Sequence, residues 1–318
     1  MRYKLFDGHT DTVSKMFATN QEFWENDCQT DYNRMLKYEE YIQVFATFVD
    51  KEIISENPKT YTEKLISKYK EETDKCNLSR IEFKEDIGKN PYSSILAIEG
   101  GEALVGNIEY LGRFYSQGVR IMNITWNHDN ELCGGIGGVS GNGLTDFGKY
   151  VIREMNSIGI TADVSHISEK GFWDLVEICK SPFIASHSNA KALCGHKRNL
   201  SDEQIKAIIR TNGVIGVNFY PLFLNGEEKC GVEKILEHIE YILNLGGENN
   251  VGIGSDFDGV DYLPQGINGI ESMETLIGMM EKRGYGAKLI NKILSENFMR
   301  IMKENLPEKN DIKIEKMS

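Results

Sequence analysis

Short apolar runs alternate with amphipathic stretches along almost the whole chain. The runs Tyr3–Phe6, Gln43–Val49, Ser94–Ile98, Val119–Ile124, Ile160–Val164, Pro182–Ala185, Gly213–Asn218 and Asn250–Gly254 read as strands. Helical spacing of apolar positions marks Tyr61–Glu72, Leu104–Gln117, Thr145–Ser157, Ser168–Lys180, Ser201–Arg210 and Val232–Leu245. Ser168 before Glu169 is a start signal, and Ser201-Asp-Glu-Gln204 reads as a capping box. Gly159, Gly213 and Gly246 stand where helices end. Strand–helix units repeated over this length predict an α/β fold, a (β/α)8 TIM-type barrel of the metal-dependent hydrolase type. An open doubly wound sheet is the alternative. No linker or low-complexity tract divides the sequence, so one catalytic barrel domain is expected over residues 1–318.

The polar residues that follow these runs change the picture from fold to chemistry. His9, Glu99, His166, His187 and Asp256 each come just after a different predicted strand, where a barrel gathers residues into one mouth. His9 and Asp11 are two residues apart, so an extended strand would point them the same way. Imidazole and carboxylate together suit Zn²⁺ and similar ions. Glu99 can bridge two ions, with His166 and His187 completing the second site. Two divalent ions, with Zn²⁺ the expected metal, would activate water near neutral pH. Asp256 lies in Gly252-Ile-Gly-Ser-Asp-Phe-Asp-Gly259 and could relay a proton from attacking water to a leaving amine. Asp258 is its rival, with turn capping as its simpler role.

Arg198, in Gly195-His-Lys-Arg-Asn-Leu200, is unsuited to binding a cation and could clamp a substrate carboxylate. Trp126 and His128 follow the fourth run and are candidate substrate contacts. His196 reads as a loop residue and His238 as a surface residue of an amphipathic helix. The Gly-rich stretch 129–143 does not fit a dinucleotide fingerprint and reads as a mobile loop over the site.

Composition narrows the partners. The chain has 318 residues, 40% of them hydrophobic, which is enough for a large core. A net charge of -12 argues against nucleic acid, whose binding needs a basic surface. The six cysteines are scattered with no Cys-x-x-Cys pair and read as reduced thiols. No signal peptide or bilayer-length apolar run is present, so a cytoplasmic protein without a membrane partner is expected. A small peptide is the expected partner, and a homodimer is compatible with the chain.

With these motifs in order, the chain resembles the renal (membrane) dipeptidase family of zinc metallopeptidases. The resemblance rests on Asp7-Gly-His-Thr-Asp11, Ile98-Glu-Gly-Gly101, Asp163-Val-Ser-His166, Ser186-His-Ser-Asn189, Arg198-Asn199 and Gly254-Ser-Asp-Phe-Asp258. It implies two zinc ions in a barrel, one held by His9, Asp11 and Glu99, the other by Glu99, His166 and His187. It also implies that Arg198 binds the terminal carboxylate and Asp256 shuttles the proton. The expected reaction is hydrolysis of dipeptides, often with a D-residue second. One departure stands out: the animal enzymes carry a His after Leu-Thr following the fourth strand, and this chain has Trp126 there. A cyclic amidohydrolase or deaminase on the same barrel is the rival enzyme. Its usual His-x-His after the first strand is here His9-Thr-Asp11. A metal-binding protein without catalysis is the third reading, and it would not need Asp256 or Arg198.

Overall fold

All eight predicted runs become barrel strands. The computed structural model describes residues 3–311, so the expected domain limits of 1 and 318 lie outside the described residues. The strands are β1 (Lys4–Thr10), β2 (Glu40–Phe48), β3 (Ser79–Arg80), β4 (Tyr92–Glu99), β5 (Val119–Asn123), β6 (Thr161–Asp163), β7 (Ile184–Ala185), β8 (Val214–Val217) and β9 (Val251–Ile253). The parallel barrel runs β1-β2-β4-β5-β6-β7-β8-β9 and closes where Asp7 pairs with Ile253. The sequence did not announce β3. It pairs beside Ser93 and Ser94 of β4, below Leu96, where β5 begins its own pairing.

Alternation along each strand separates two cores. Phe6, Ile42, Val44, Ile95, Ala97, Ile121, Ile184 and Val214 cluster in the interior with Phe298, Ile301 and Met302 of the helix Asn297–Asn305. Phe6 and Phe298 stack at 5.0 Å, so this last helix plugs the end of the barrel away from the site. The intervening residues, such as Leu96, Ile98, Met122, Ile215 and Val217, pack in the larger core with the surrounding helices.

The interior narrows above the plug. Ideal Cβ atoms on Gly8, Gly216 and Gly254 would stand 3.0, 2.0 and 1.8 Å from the carbonyl oxygen of Ser186. β1, β8 and the residue just past β9 therefore leave out side chains where the Ser186 carbonyl, next to His187, approaches them.

Several sequence expectations need correction. The predicted helix Leu104–Gln117 is broken. A 3-10 turn covers Gly101–Leu104, Val105 and Gly106 take left-handed φ of 42° and 71°, and a new helix spans Glu109–Ser116. Asn107 Oδ1 accepts from Glu109 N at 2.9 Å and restarts it. The helices Thr12–Thr19 and Met273–Lys282 went unread. His238 is not a surface residue; it is fully buried. The stretch 129–143 is tied down rather than loose. Asp129 accepts from Gly135 N and Ser140 N, and Ile136 N donates to His166 O at 2.8 Å. All six cysteines are unpaired.

Candidate active site

The predicted site residues other than His128 converge at the C-terminal mouth of the barrel. His9 gets there by a bulge. Phe6 and Gly8 face the interior, so strict alternation would send His9 outward with Leu5. Between Asp7↔Gln43 and Thr10↔Phe45, however, β1 advances three residues while β2 advances two. The extra residue turns His9 into the mouth, a recurrent use of bulges beside sites. Asp7 secures the bulge by accepting from His9 N at 3.3 Å and Ser255 N at 2.9 Å. Asp11 is not on the strand. It is the first residue past it, at the N-terminal boundary of the helix Thr12–Thr19 with no capping bond from its side chain, so it meets His9 through a strand-to-helix turn rather than a shared strand face.

Glu99 sits between two groups of ligand-type atoms. Its Oε2 lies 3.4 Å from His9 Nε2, which is 3.5 Å from Asp11 Oδ2. Its Oε1 lies 2.9 Å from His166 Nε2 and 3.5 Å from His187 Nε2. The last two nitrogens are 2.8 Å apart. The other ring nitrogens are held from behind. His166 Nδ1 donates to Asn127 Oδ1 at 3.0 Å, and His187 Nδ1 is 2.8 Å from Ser186 Oγ. The same hydroxyl is 3.4 Å from His9 Nδ1. These contacts direct the Nε2 lone pairs toward Glu99, as partners behind metal-ligating histidines do. Asp163 joins the His166 and His187 segments: its Oδ1 accepts from Ser165 N, Ser165 Oγ and Ser186 N.

A metal fits these donors. His9 Nε2 and Asp11 Oδ1 are buried with no hydrogen-bond partner, a state that normally needs a further ligand. His9, Glu99 and His187 offer ligand atoms all within 4.8 Å of one another, and so do His9, Asp11 and Asp256. The second group brings Asp256 within coordinating distance as well.

Electrostatics follow from burying many charges together. Burial pushes the Glu99 carboxyl up to about 7, against the pull of His9. Burial and the Asp11 charge push Asp256 up to about 6, opposed by His9 and by its hydrogen bond from Asn218. Burial disfavours a charged His9, but Glu99 and Asp11 beside it lift its pKa well above the usual value. His166 and His187 are driven well below theirs by burial and by neighbouring positive groups. A pair of neutral imidazoles around an acidic carboxylate suits cation binding.

The mouth opens into a cleft of about 390 Å³, the size of small-ligand pockets. Arg198 lines it, 5% exposed, with Nη2 3.1 Å from His166 Nε2 and Nε and Nη1 unpartnered. Trp126 lines it too, edge-on to Phe48 at 5.0 Å. His128 does not. Its ring turns to Asp50 and Glu52, 3.6 and 3.3 Å away, so its expected substrate contact is not where the structure places it. Asp258 also lines the cleft, and instead of capping its own turn it accepts from the remote Thr12 Oγ1 and Gln29 N. His196 lies in its loop against Phe223. Buried His238 accepts from Ala190 N and donates to Leu224 O, linking the segment after β7 to that after β8. Asn218, missed by sequence reasoning, donates to Asp256 Oδ2 at 2.8 Å. It follows β8 directly, the same position that singled out the other site residues.

The chain is similar to several known proteins. The sequence profile described as membrane dipeptidase, peptidase family M19, matches residues 1–314. An uncharacterized protein in the pqqA 5′ region of Klebsiella pneumoniae is 38% identical over 216 residues, 65% of this chain and 79% of its own length. An uncharacterized dipeptidase of Schizosaccharomyces pombe is 32% identical over 224 residues, 69% of this chain, and the match spans 55% of that longer protein. Among solved structures, a metallo peptidase from Rhodobacter sphaeroides liganded with a phosphinate mimic of the dipeptide L-Ala-D-Ala superposes with a TM-score of 0.87 and 25% identity. The match covers 96% of this chain and all of that one. The dipeptidase AC, a metallo peptidase, gives 0.88 and 25% over 96% and 99%.

Proposed function

The chain belongs to the membrane dipeptidase family, and from that premise we propose how its own residues carry out dipeptide hydrolysis. It is a metallo-dipeptidase. The finer reading is that two divalent ions, most naturally zinc, are held side by side: His9, Asp11 and Glu99 for one, Glu99, His166 and His187 for the other. The division of Glu99's two oxygens between His9 on one side and His166 with His187 on the other carries this reading. Ions bound there would polarise the scissile carbonyl and lower the pKa of the attacking water.

The protein residues supply the rest. Asp256 stands 3.9 Å from His9 Nε2, where its carboxylate takes the proton of the water and passes it to the leaving amine. Asn218 keeps one oxygen of Asp256 engaged, which leaves the other for the proton. Arg198 pairs with the free carboxylate of the substrate through Nη1, a buried donor without a partner. A dipeptide presents that carboxylate one residue past the scissile bond, so the guanidinium measures length. The Rhodobacter relative's L-Ala-D-Ala mimic supports a D-residue at the second position here. No helix among the described residues is long and apolar enough to cross a membrane.

Metal analysis of protein purified without chelator, or reloaded with Zn²⁺, tests the reading. Two ions per chain are expected, and Glu99→Gln should lose both the bridge and most of the bound metal. A stoichiometry that stays at one ion after reloading would refute the dinuclear assignment.

A further inference from the structure

The walls of the cleft differ in a way that the reaction alone does not require. Around the barrel, β7 and β8 lie opposite β2 and β4. The segments following β7 and β8 bring Arg198, Tyr220 and Phe223 to one wall. The opposite wall is built from Phe48 at the end of β2, Ile53 just after it, and Trp126 after β5. Phe48 is fixed by its own backbone, whose N–H donates to Ser14 Oγ at 3.3 Å. Trp126 spans the gap from Phe48 to His166, with ring centroids 5.0 and 6.0 Å away. Ile53 is 63% exposed at the rim. An aliphatic side chain left in water beside two partly covered aromatics is apolar surface waiting for a partner.

A substrate's orientation follows from its charges, given the dipeptidase reading above. With the C-terminal carboxylate on Arg198 and the scissile carbonyl over Glu99, the N-terminal residue must lie across the mouth toward β2 and β4. We propose that Phe48, Ile53 and Trp126 form the pocket for the side chain of the substrate's N-terminal residue, and that they select bulky apolar side chains there. The side chains of Phe48, Ile53 and Trp126 carry no charge, and the indole N–H is their one hydrogen-bond donor. The pocket therefore favours Leu, Met or Phe first and disfavours Asp, Lys or Gly. Trp126 stands where the resemblance calls for histidine, and exchanging a polar ring for a larger apolar one is what such selectivity needs.

Two readouts test the pocket. The first is kcat/KM for a series in which only the N-terminal residue varies before D-Ala. The native enzyme should prefer Leu to Gly by roughly tenfold or more, the scale that apolar pockets give to added methylenes. Trp126→Ala should shrink the Leu-to-Gly ratio by several-fold. It should leave the ranking of C-terminal residues as it is, whereas Phe223→Ala should alter that ranking. The second readout needs no turnover. With Trp24 and Trp173 replaced by Phe, Trp126 is the one tryptophan left. Its fluorescence should respond to a phosphinate analogue beginning with Leu at lower concentration than to one beginning with Gly. Cleavage without any N-terminal preference, or a Trp126→Ala effect confined to the C-terminal residue, would overturn the pocket and leave the dipeptidase reading intact. Selective analogue binding with no cleavage of any dipeptide would do the reverse.

Discussion

Removing the C-terminal charge of the substrate should reveal how much the enzyme depends on Arg198. The guanidinium is 5% exposed, and burial lowers its pKa to about 10, which still leaves it protonated at neutral pH. Asp256, Glu99 and Asp163 hold that charge in place from a distance. Two of its nitrogens, Nε and Nη1, have no partner, so they are desolvated without compensation. A substrate carboxylate would give Nη1 the acceptor it lacks. An amide in its place brings no charge and turns one acceptor into a donor facing donors. Losing one member of a buried, hydrogen-bonded charge pair costs about 2–5 kcal/mol. At about 1.4 kcal/mol per factor of ten, kcat/KM should fall roughly 30- to 4,000-fold. The assay compares Leu-D-Ala with Leu-D-Ala-amide for native enzyme and for Arg198→Ala. The variant should show a raised KM more than a lowered kcat, since the pair binds ground state and transition state alike. The amide penalty should largely vanish in the variant, because neither acid nor amide then meets a charged partner. Native enzyme that cleaves the amide as well as the acid would refute the carboxylate pairing and leave Arg198 a support for His166 and the His187 backbone, which Nη2 reaches at 3.1 and 3.3 Å.

Asp256→Asn should keep its metal and lose about 10²- to 10⁴-fold in kcat, the range for a lost general acid–base group; metal loss on a par with Glu99→Gln would make Asp256 a ligand instead. Asn218→Ala removes a hydrogen bond that favours ionised Asp256. The Asp256 pKa should therefore rise, and the acid limb of kcat/KM should move to higher pH relative to native enzyme; an unmoved limb would separate Asp256 from that ionisation. Gly254→Ala would place a Cβ 1.8 Å from Ser186 O and 2.8 Å from Ser186 C, both backbone atoms with little room to yield. Urea denaturation should show a loss of about 3 kcal/mol or more, together with weakened metal retention as the His187 backbone is displaced; native-like stability would mean that β7 moves freely.

The strands and the candidate ligands were legible because both are local signals. An apolar run bounded by polar residues and glycine marks a strand wherever it lies, and the residue just past it falls in the mouth of any parallel barrel. Glu99, His166, His187 and Asp256 follow that rule, whereas His9 lies within β1 and needs the bulge. The broken segment between Gly101 and Ser116 was misread because one apolar periodicity continues through the left-handed turn at Val105. His238 was misplaced because its helix is amphipathic by pattern, while its partners, Ala190 and Leu224, are remote in sequence and meet it only after folding.

The aim of each side chain belongs to the tertiary structure. His9 faces the site because β1 gains a residue against β2, a register event that no single strand displays. Glu99 shares its two oxygens between two groups because closing the barrel brings β1, β4, β6 and β7 to fixed separations. Ser186 sits behind both His9 and His187 because Gly8, Gly216 and Gly254 leave room for its backbone inside the barrel. His128 turns to Asp50 and Glu52, whereas Trp126 packs between Phe48 and His166. A residue's type and its distance from a strand end are written in the chain, whereas its partner is chosen by strand register and barrel closure, which bring together residues as far apart as Asp7 and Ser255.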